Sequence, residues 1–168
     1  SVDQYWSNLM AGVSGISKTE LFDARTFPST FSAQVKEFDL ADHIDDVTPH
    51  RNAGRNTRFA LAAAQQAWNQ SGLAEPDPTR VGVYLGSGEG SLDFENFVDA
   101  LVESWKSDEK ELDTVKWAEI ALERMTAWRE YEQEPNMPAS HIALRFNARG
   151  PNLNCLTACA ASTQAIGE

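Results

Sequence analysis

The chain has 168 residues, 42% of them apolar and 23% charged, with a formal net charge of −11. That size and balance suit one folded unit with a real core, and they exclude disordered, collagen-like and low-complexity architectures. The acidic excess is a poor match for a nucleic-acid backbone, and the uncharged stretch at residues 59–72 is too short and too broken by Gln65, Gln66, Asn69 and Gln70 to cross a membrane.

Taken in chain order, Tyr5, Trp6, Leu9 and Met10 fall at helical spacing, with Gly12 as the expected C-cap. A turn-rich stretch, Val13-Ser14-Gly15-Ile16, follows, and residues 31–38 alternate partly, as a short strand or extended edge would. Residues 42–58 are polar and irregular. Residues 59–68 read as a strong helix with Phe59, Ala62, Ala63, Ala67 and Trp68 on one face, ended by Ser71-Gly72.

After the loop Pro76-Asp77-Pro78, residues 80–85 fit a buried parallel strand, closed by the glycine turn Gly86-Ser87-Gly88-Glu89-Gly90. Phe94, Phe97, Val98, Leu101, Val102 and Trp105 then mark one apolar helix face. Trp117, Ile120, Ala121, Arg124, Trp128 and Tyr131 mark a second. Residues 92–135 carry thirteen acidic and five basic residues, a net charge of −8, which suits solvated helix faces. Residues 139–146 read as a helix, residues 147–152 as a turn on Gly150-Pro151, and residues 153–157 as a strand. Small residues from Ala158 onward suggest a last helix, and the chain stops at Glu168 inside it with no stop signal. Strands alternating with helices give an α/β class.

Cys159 is the sharpest chemical feature. It lies where a strand runs into a helix, and the helix dipole with its free N–H groups favours a thiolate at such a point. Ala158, Ala160 and Ala161 leave room for a substrate carbonyl, and the Cys159 N–H could help stabilise an oxyanion. Locally, an inert buried thiol is the competing reading, and it holds more firmly for Cys155, which has strand context. Two cysteines are too few for a disulfide scaffold, and the first residues show no secretory signal, so a cytoplasmic setting is expected.

The glycine turn has the wrong spacing for a dinucleotide site, and Glu89 would oppose a pyrophosphate. His43, His50 and His141 are scattered, neither cysteine has a CxxC partner, and no metal site is expected. His141, beside Ile142 and Leu144, reads as a satisfied packing residue. His50, Arg51, Arg55 and Arg58 form a basic cluster in an acidic chain, either a solvated helix start or a landing patch for an acidic partner.

Several blocks together resemble one family. Asn136-Met137-Pro138-Ala139-Ser140-His141-Ile142-Ala143-Leu144-Arg145-Phe146, then Gly150-Pro151-Asn152, then Thr157-Ala158-Cys159-Ala160-Ala161-Ser162 through Glu168, is similar to the active-site region of the β-ketoacyl-(acyl-carrier-protein) synthases. Residues 6–16, 35–39, 59–73 and 80–88 agree in order, so the resemblance covers most of the chain outside residues 92–135.

The resemblance implies the N-terminal half of a thiolase-like fold, layered α/β with a mixed sheet and a buried helix bearing the nucleophile. Residues 1–168 would be a partial domain without its first strand and C-terminal half, with residues 92–135 as an acidic helical insertion. It implies decarboxylative Claisen condensation of an acyl thioester with malonyl-acyl carrier protein, through an acyl-cysteine on Cys159, in fatty acid elongation. Polyketide-type or specialised condensing enzymes, and a non-condensing acyl-binding or chain-length subunit, are the alternatives.

No cofactor is implied, because the phosphopantetheine of acyl carrier protein carries the substrates. Acyl carrier protein is the implied partner, with Arg51, and near it Arg55 and Arg58, at the contact. A homodimer is implied for the full-length protein. The family's catalytic histidines and lysine belong to its C-terminal half, none of His43, His50 or His141 matches them, and the 168-residue chain by itself is expected to be inactive. Gln164 stands where many members carry histidine.

Overall fold

The computed structural model describes residues 2–88, 90 and 93–168. The expectation for Glu89 lies outside them. Two compact units meet in sequence at Asp39 and Leu40.

In the first unit, α1 (Val2–Met10) ends as expected at Gly12, which takes the left-handed φ of 65°. A short antiparallel pair follows, β1 (Ile16–Lys18) with β2 (Phe31–Ala33), Ile16 opposite Ala33 and Lys18 opposite Phe31. Buried Thr19 shares a 2.9 Å hydroxyl–hydroxyl hydrogen bond with Ser32 and fixes that register. The strand expected over residues 31–38 is only three residues long. Glu37 has a φ of 52°, which strand geometry cannot hold.

In the second unit, 3-10 turns at Leu40–Asp42 and Thr48–His50 lead into α2 (Arg55–Ser71), which Gly72 closes with a φ of 69°. The helix is longer than expected and buries a different face. Thr57 and Leu61 are buried, whereas Ala63 and Ala67 are exposed. The face is chosen by where α6 (Met137–Arg145) packs: Arg145 donates to Gln65 Oε1 at 3.1 Å, and Phe146 stacks on Trp68 with centroids 4.7 Å apart. Alanine buries too little area to dictate which side turns inward.

After a 3-10 turn at Pro78–Arg80, β3 (Val83–Gly86) is half-buried and pairs in parallel with a strand reached only after residue 150. Between them runs α3 (Phe94–Glu103), which stops before Trp105. Ser104 closes it by donating its hydroxyl to Ala100 O at 2.6 Å. Trp105 instead begins β4 (Trp105–Lys106), paired with β5 (Glu111–Leu112) around Lys110 at φ 54°.

The expected second helix is two: α4 (Thr114–Arg124), capped by Asp113 accepting from Lys116 N at 3.0 Å, and α5 (Ala127–Tyr131), with Met125 extended between them. The expected apolar stripe is not the buried one either. Phe94, Phe97, Val102 and Trp105 are exposed, while Ala100 and Ser104 are buried. Ion pairs hold this region: Arg124 forks onto Glu103 at 2.6 and 3.1 Å, and Arg129 reaches buried Asp93 at 2.5 Å.

After α6 the chain turns through Asn147 at φ 50° into β6 (Asn152–Cys155), parallel to β3 with Val83 opposite Asn152 and Gly86 opposite Cys155. A 3-10 turn at Ala158–Ala160 then enters α7 (Ala161–Gly167). Among the described residues the strands form three two-stranded pairs, two antiparallel and one parallel. The core of this unit is Leu61, Val83, Ala139, Ile142, Ala161 and Ala165, all at or below 8% exposure.

Gly86 sets the seat of α7. A Cβ there would overlap the backbone of Ala161 and Ser162, so only glycine lets the helix lie against the strand end. At Gly88 a Cβ would meet open space. Gly86→Ala is therefore expected to lower unfolding free energy by about 1–3 kcal/mol, and Gly88→Ala to stay within about 0.5 kcal/mol. Fully buried Leu61, replaced by alanine, is expected to cost about 3 kcal/mol. Urea unfolding of the three variants of the full-length protein checks the order.

Candidate active site

Three attachments hold the turn that carries Cys159. Upstream, the strand pair continues past the end of β3 through Ser87 N, which donates to Cys155 O at 3.1 Å. Downstream, Ala161 and Ala165 bury one face of α7 against the strands, with the first turn on Gly86. Across the turn, Thr157 Oγ1 donates to Gln164 Oε1 at 3.1 Å. Gln164 thereby straps the turn to its helix.

The backbone inside the turn is strained. Ala158 takes a φ of 49°, a conformation that costs a non-glycine residue about 1–2 kcal/mol. Strain next to a reactive side chain persists only where surrounding contacts impose it, and here the strand end, the strap and the helix seat do so. Ala160 N closes the turn on Thr157 O at 3.0 Å.

The result is an exposed Cys159 thiol, while Cys155 is half-buried at the strand end, and both are free. Cys159 is therefore not the buried thiol of the competing reading. One detail differs from expectation: Cys159 lies in the 3-10 turn two residues before α7, where a true helix N-terminus was expected. Alanines on both sides of the cysteine leave its approach open.

The basic cluster divides. Arg51 caps the 3-10 turn at Thr48–His50 and is exposed, as is Arg55, whose guanidinium lies 5.3 Å from the Phe59 ring centroid. Arg58 is half-buried and structural: Nε donates to Ala53 O at 2.9 Å and Nη2 to Arg51 O at 3.0 Å. Arg58 thus shapes the segment that presents Arg51. His50 leaves the patch altogether, since it is buried and its Nδ1 lies 2.8 Å from Nδ1 of His141.

The other ring nitrogen of His141, Nε2, meets Glu132 Oε1 at 3.0 Å. His141 is thus the satisfied packing residue expected, with two partners that no sequence spacing links. Among the described residues no cluster of three or more His, Cys, Asp or Glu side chains could hold a metal ion, and no helix is long and apolar enough to cross a membrane.

Known proteins resemble this chain in sequence and fold. The family described as Beta-ketoacyl synthase, N-terminal domain, matches residues 1–168. A 3-oxoacyl-(acyl-carrier-protein) synthase 2 from Coxiella burnetii is 32% identical over 99% of this chain, and the chain spans 37% of that protein, a little over a third of its length. Among solved structures, a β-ketoacyl synthase from Burkholderia phymatum superposes with a TM-score of 0.70 at 24% identity, over 99% of this chain and 38% of that one. A ketosynthase bound to the hexaketide, in complex with its type II acyl-carrier protein, superposes with a TM-score of 0.60 at 22% identity, over 80% of this chain and 35% of that one. The fold is accordingly that of the thiolase-like ketosynthases, in its N-terminal part. The matching family profile and the shared fold agree: the chain belongs to the β-ketoacyl synthase family, as its N-terminal domain.

Proposed function

We propose that Cys159 is the nucleophile of a decarboxylative condensation that elongates fatty acyl chains on acyl carrier protein. The observation that carries this is an exposed thiol on a strained, alanine-lined turn in a chain of this family. The thiolate attacks the carbonyl of an acyl thioester, forms the Cys159 thioester and releases the carrier's phosphopantetheine thiol. A malonyl thioester then loses CO2. The carbanion left on its α-carbon attacks the acyl-Cys159 carbonyl, forms the new carbon–carbon bond and expels the Cys159 thiolate. Splitting one condensation into two acyl transfers lowers each barrier. Loss of CO2 supplies the carbanion without a strong base.

Cys159 N–H is suited to stabilise the oxyanion, since the positive φ of Ala158 turns the backbone sharply just before it. His50 and His141 are engaged with each other and with Glu132, so neither is assigned the proton chemistry of decarboxylation. The carrier's phosphopantetheine holds both substrates, and the reaction calls for no further cofactor. Acyl carrier protein is the proposed partner, with exposed Arg51 and Arg55 meeting its acidic surface and Arg58 holding the segment in shape. The full-length protein is proposed to work as a homodimer in the cytoplasm, a setting compatible with its two free thiols.

With limiting iodoacetamide on the full-length protein, peptide mass spectrometry is expected to find Cys159 alkylated ahead of half-buried Cys155, and equal labelling would remove the nucleophile assignment. Arg51→Glu is expected to raise KM for acyl carrier protein by about fivefold or more, with less effect on a small acyl thioester. Steady-state kinetics with both substrates separates docking from chemistry, and an equal rise in both would end the docking assignment.

A further inference from the structure

The buried chain His50–His141–Glu132 joins three parts of the second unit that lie far apart in sequence. His50 ends the 3-10 turn before Arg51, His141 sits in α6, and Glu132 follows α5. Their exposures are 2%, 7% and 9%. His50 and His141 are 91 residues apart and meet Nδ1 to Nδ1 at 2.8 Å.

Such a contact has one requirement. One Nδ1 must carry a proton and the other a lone pair. Glu132, with Oε1 at 3.0 Å and Oε2 at 3.3 Å from His141 Nε2, accepts a hydrogen bond from the Nε2–H there. Neutral His141 then offers a lone pair at Nδ1, and His50 donates. One added proton is tolerated, because either ring can become cationic while the other keeps a lone pair at Nδ1. A second proton is not, since two N–H groups would face each other at 2.8 Å inside the protein.

The surrounding charges sharpen that limit. From α6, Arg145 faces His50, and it also bonds Gln65 of α2 and lies 3.8 Å from Asp45. From α2, the Arg58 guanidinium is occupied by the carbonyls of Ala53 and Arg51. Arg51 itself is exposed. On the same segment as His50, Asp46 is kept ionised by the Thr48 backbone N–H at 2.9 Å, and its charge and that of Glu132 favour the cation. Burial is the largest influence on His50 and acts against its charge, followed by His141 and Arg145, so its pKa lies below the usual imidazole range.

The sign follows. An unfolded His50 takes up a proton below about pH 6.5, whereas the folded one resists it. Stability of the contact is undiminished above that pH and declines as pH falls below it.

We propose that His50, His141 and Glu132 form a one-proton lock that fastens the segment of residues 47–53 to α6 at neutral pH and releases it on acidification. The segment carries Arg51, so release loosens the presentation of that side chain, whatever it binds.

The test is hydrogen exchange by mass spectrometry on the full-length protein, corrected for intrinsic rates, from about pH 7.5 to about pH 5.5. Peptides covering residues 47–53 are expected to exchange about fivefold faster or more at the lower pH, with little change in the middle of α2. In His50→Asn, whose amide can bond His141 without titrating, that acceleration is expected to vanish. No acceleration in the native protein overturns the lock, as does equal acceleration in His50→Asn. Should His50→Asn fail to fold, NMR titration of the native rings decides. Two coupled steps, the second well below an ordinary imidazole titration, support the lock, and two independent ordinary titrations overturn it.

Discussion

The approach of α7 to the end of β3 is the constraint on which the site depends. Two backbones come closer at Gly86 than any side chain would allow. Given that contact, the first turn of α7 has a fixed origin, Ala161 and Ala165 fill the space beneath it, and the residues just before it must climb from the end of β6 in few steps. The positive φ of Ala158 is the consequence of that short climb. An exposed thiol is what remains at its top. Strand pairing, helix seat and strained turn are thus one mechanical object, in which the parallel pair supplies rigidity and glycine supplies proximity.

Much of this was legible in the residues. The helix ends at Gly12 and Gly72, the run to Gly86 as a parallel strand, the turn at Gly150-Pro151 and the break before Cys159 all rest on local chemistry: a residue without Cβ, a ring that fixes φ, a row of β-branched side chains. What misread was long-range. The inward face of α2 depends on Gln65 and Trp68 meeting α6, and an alanine-rich pattern does not encode that partner. Trp105 looked like the next step of a helical stripe, but Ser104 bonded back to Ala100 and the chain left the helix there. The acidic stretch misled because ion pairs such as Arg124 with Glu103 and Arg129 with Asp93 join its elements beside buried Ala100 and Ile120, and such pairs have no hydrophobic period.

The site was legible in part for the same reason. Cys159 stood out because small neighbours and a strand-to-helix break are local signals. The His50–His141 contact has no local signal: its partners are 91 residues apart, and each alone looks like an ordinary polar residue. Reading His50 with Arg51, Arg55 and Arg58 as one cationic patch assumed that neighbours in sequence share a surface. Burial separates them, and Arg58 turns back to hold the carbonyls of Ala53 and Arg51.

The register of β3 with β6 bears on how such a chain can change. Between the paired strands lie about 65 residues, a loop whose closure entropy grows only with the logarithm of its length, so doubling it costs about 0.6 kcal/mol. The hairpin and the exposed faces of α3 and α4 in that loop can therefore lengthen, shorten or exchange charge at small thermodynamic expense, while the strand ends beneath the thiol stay put. Variation is cheap there and costly at Gly86 and along buried α6. A lineage carrying this frame can revise its acidic surface repeatedly and keep the same thiol in place.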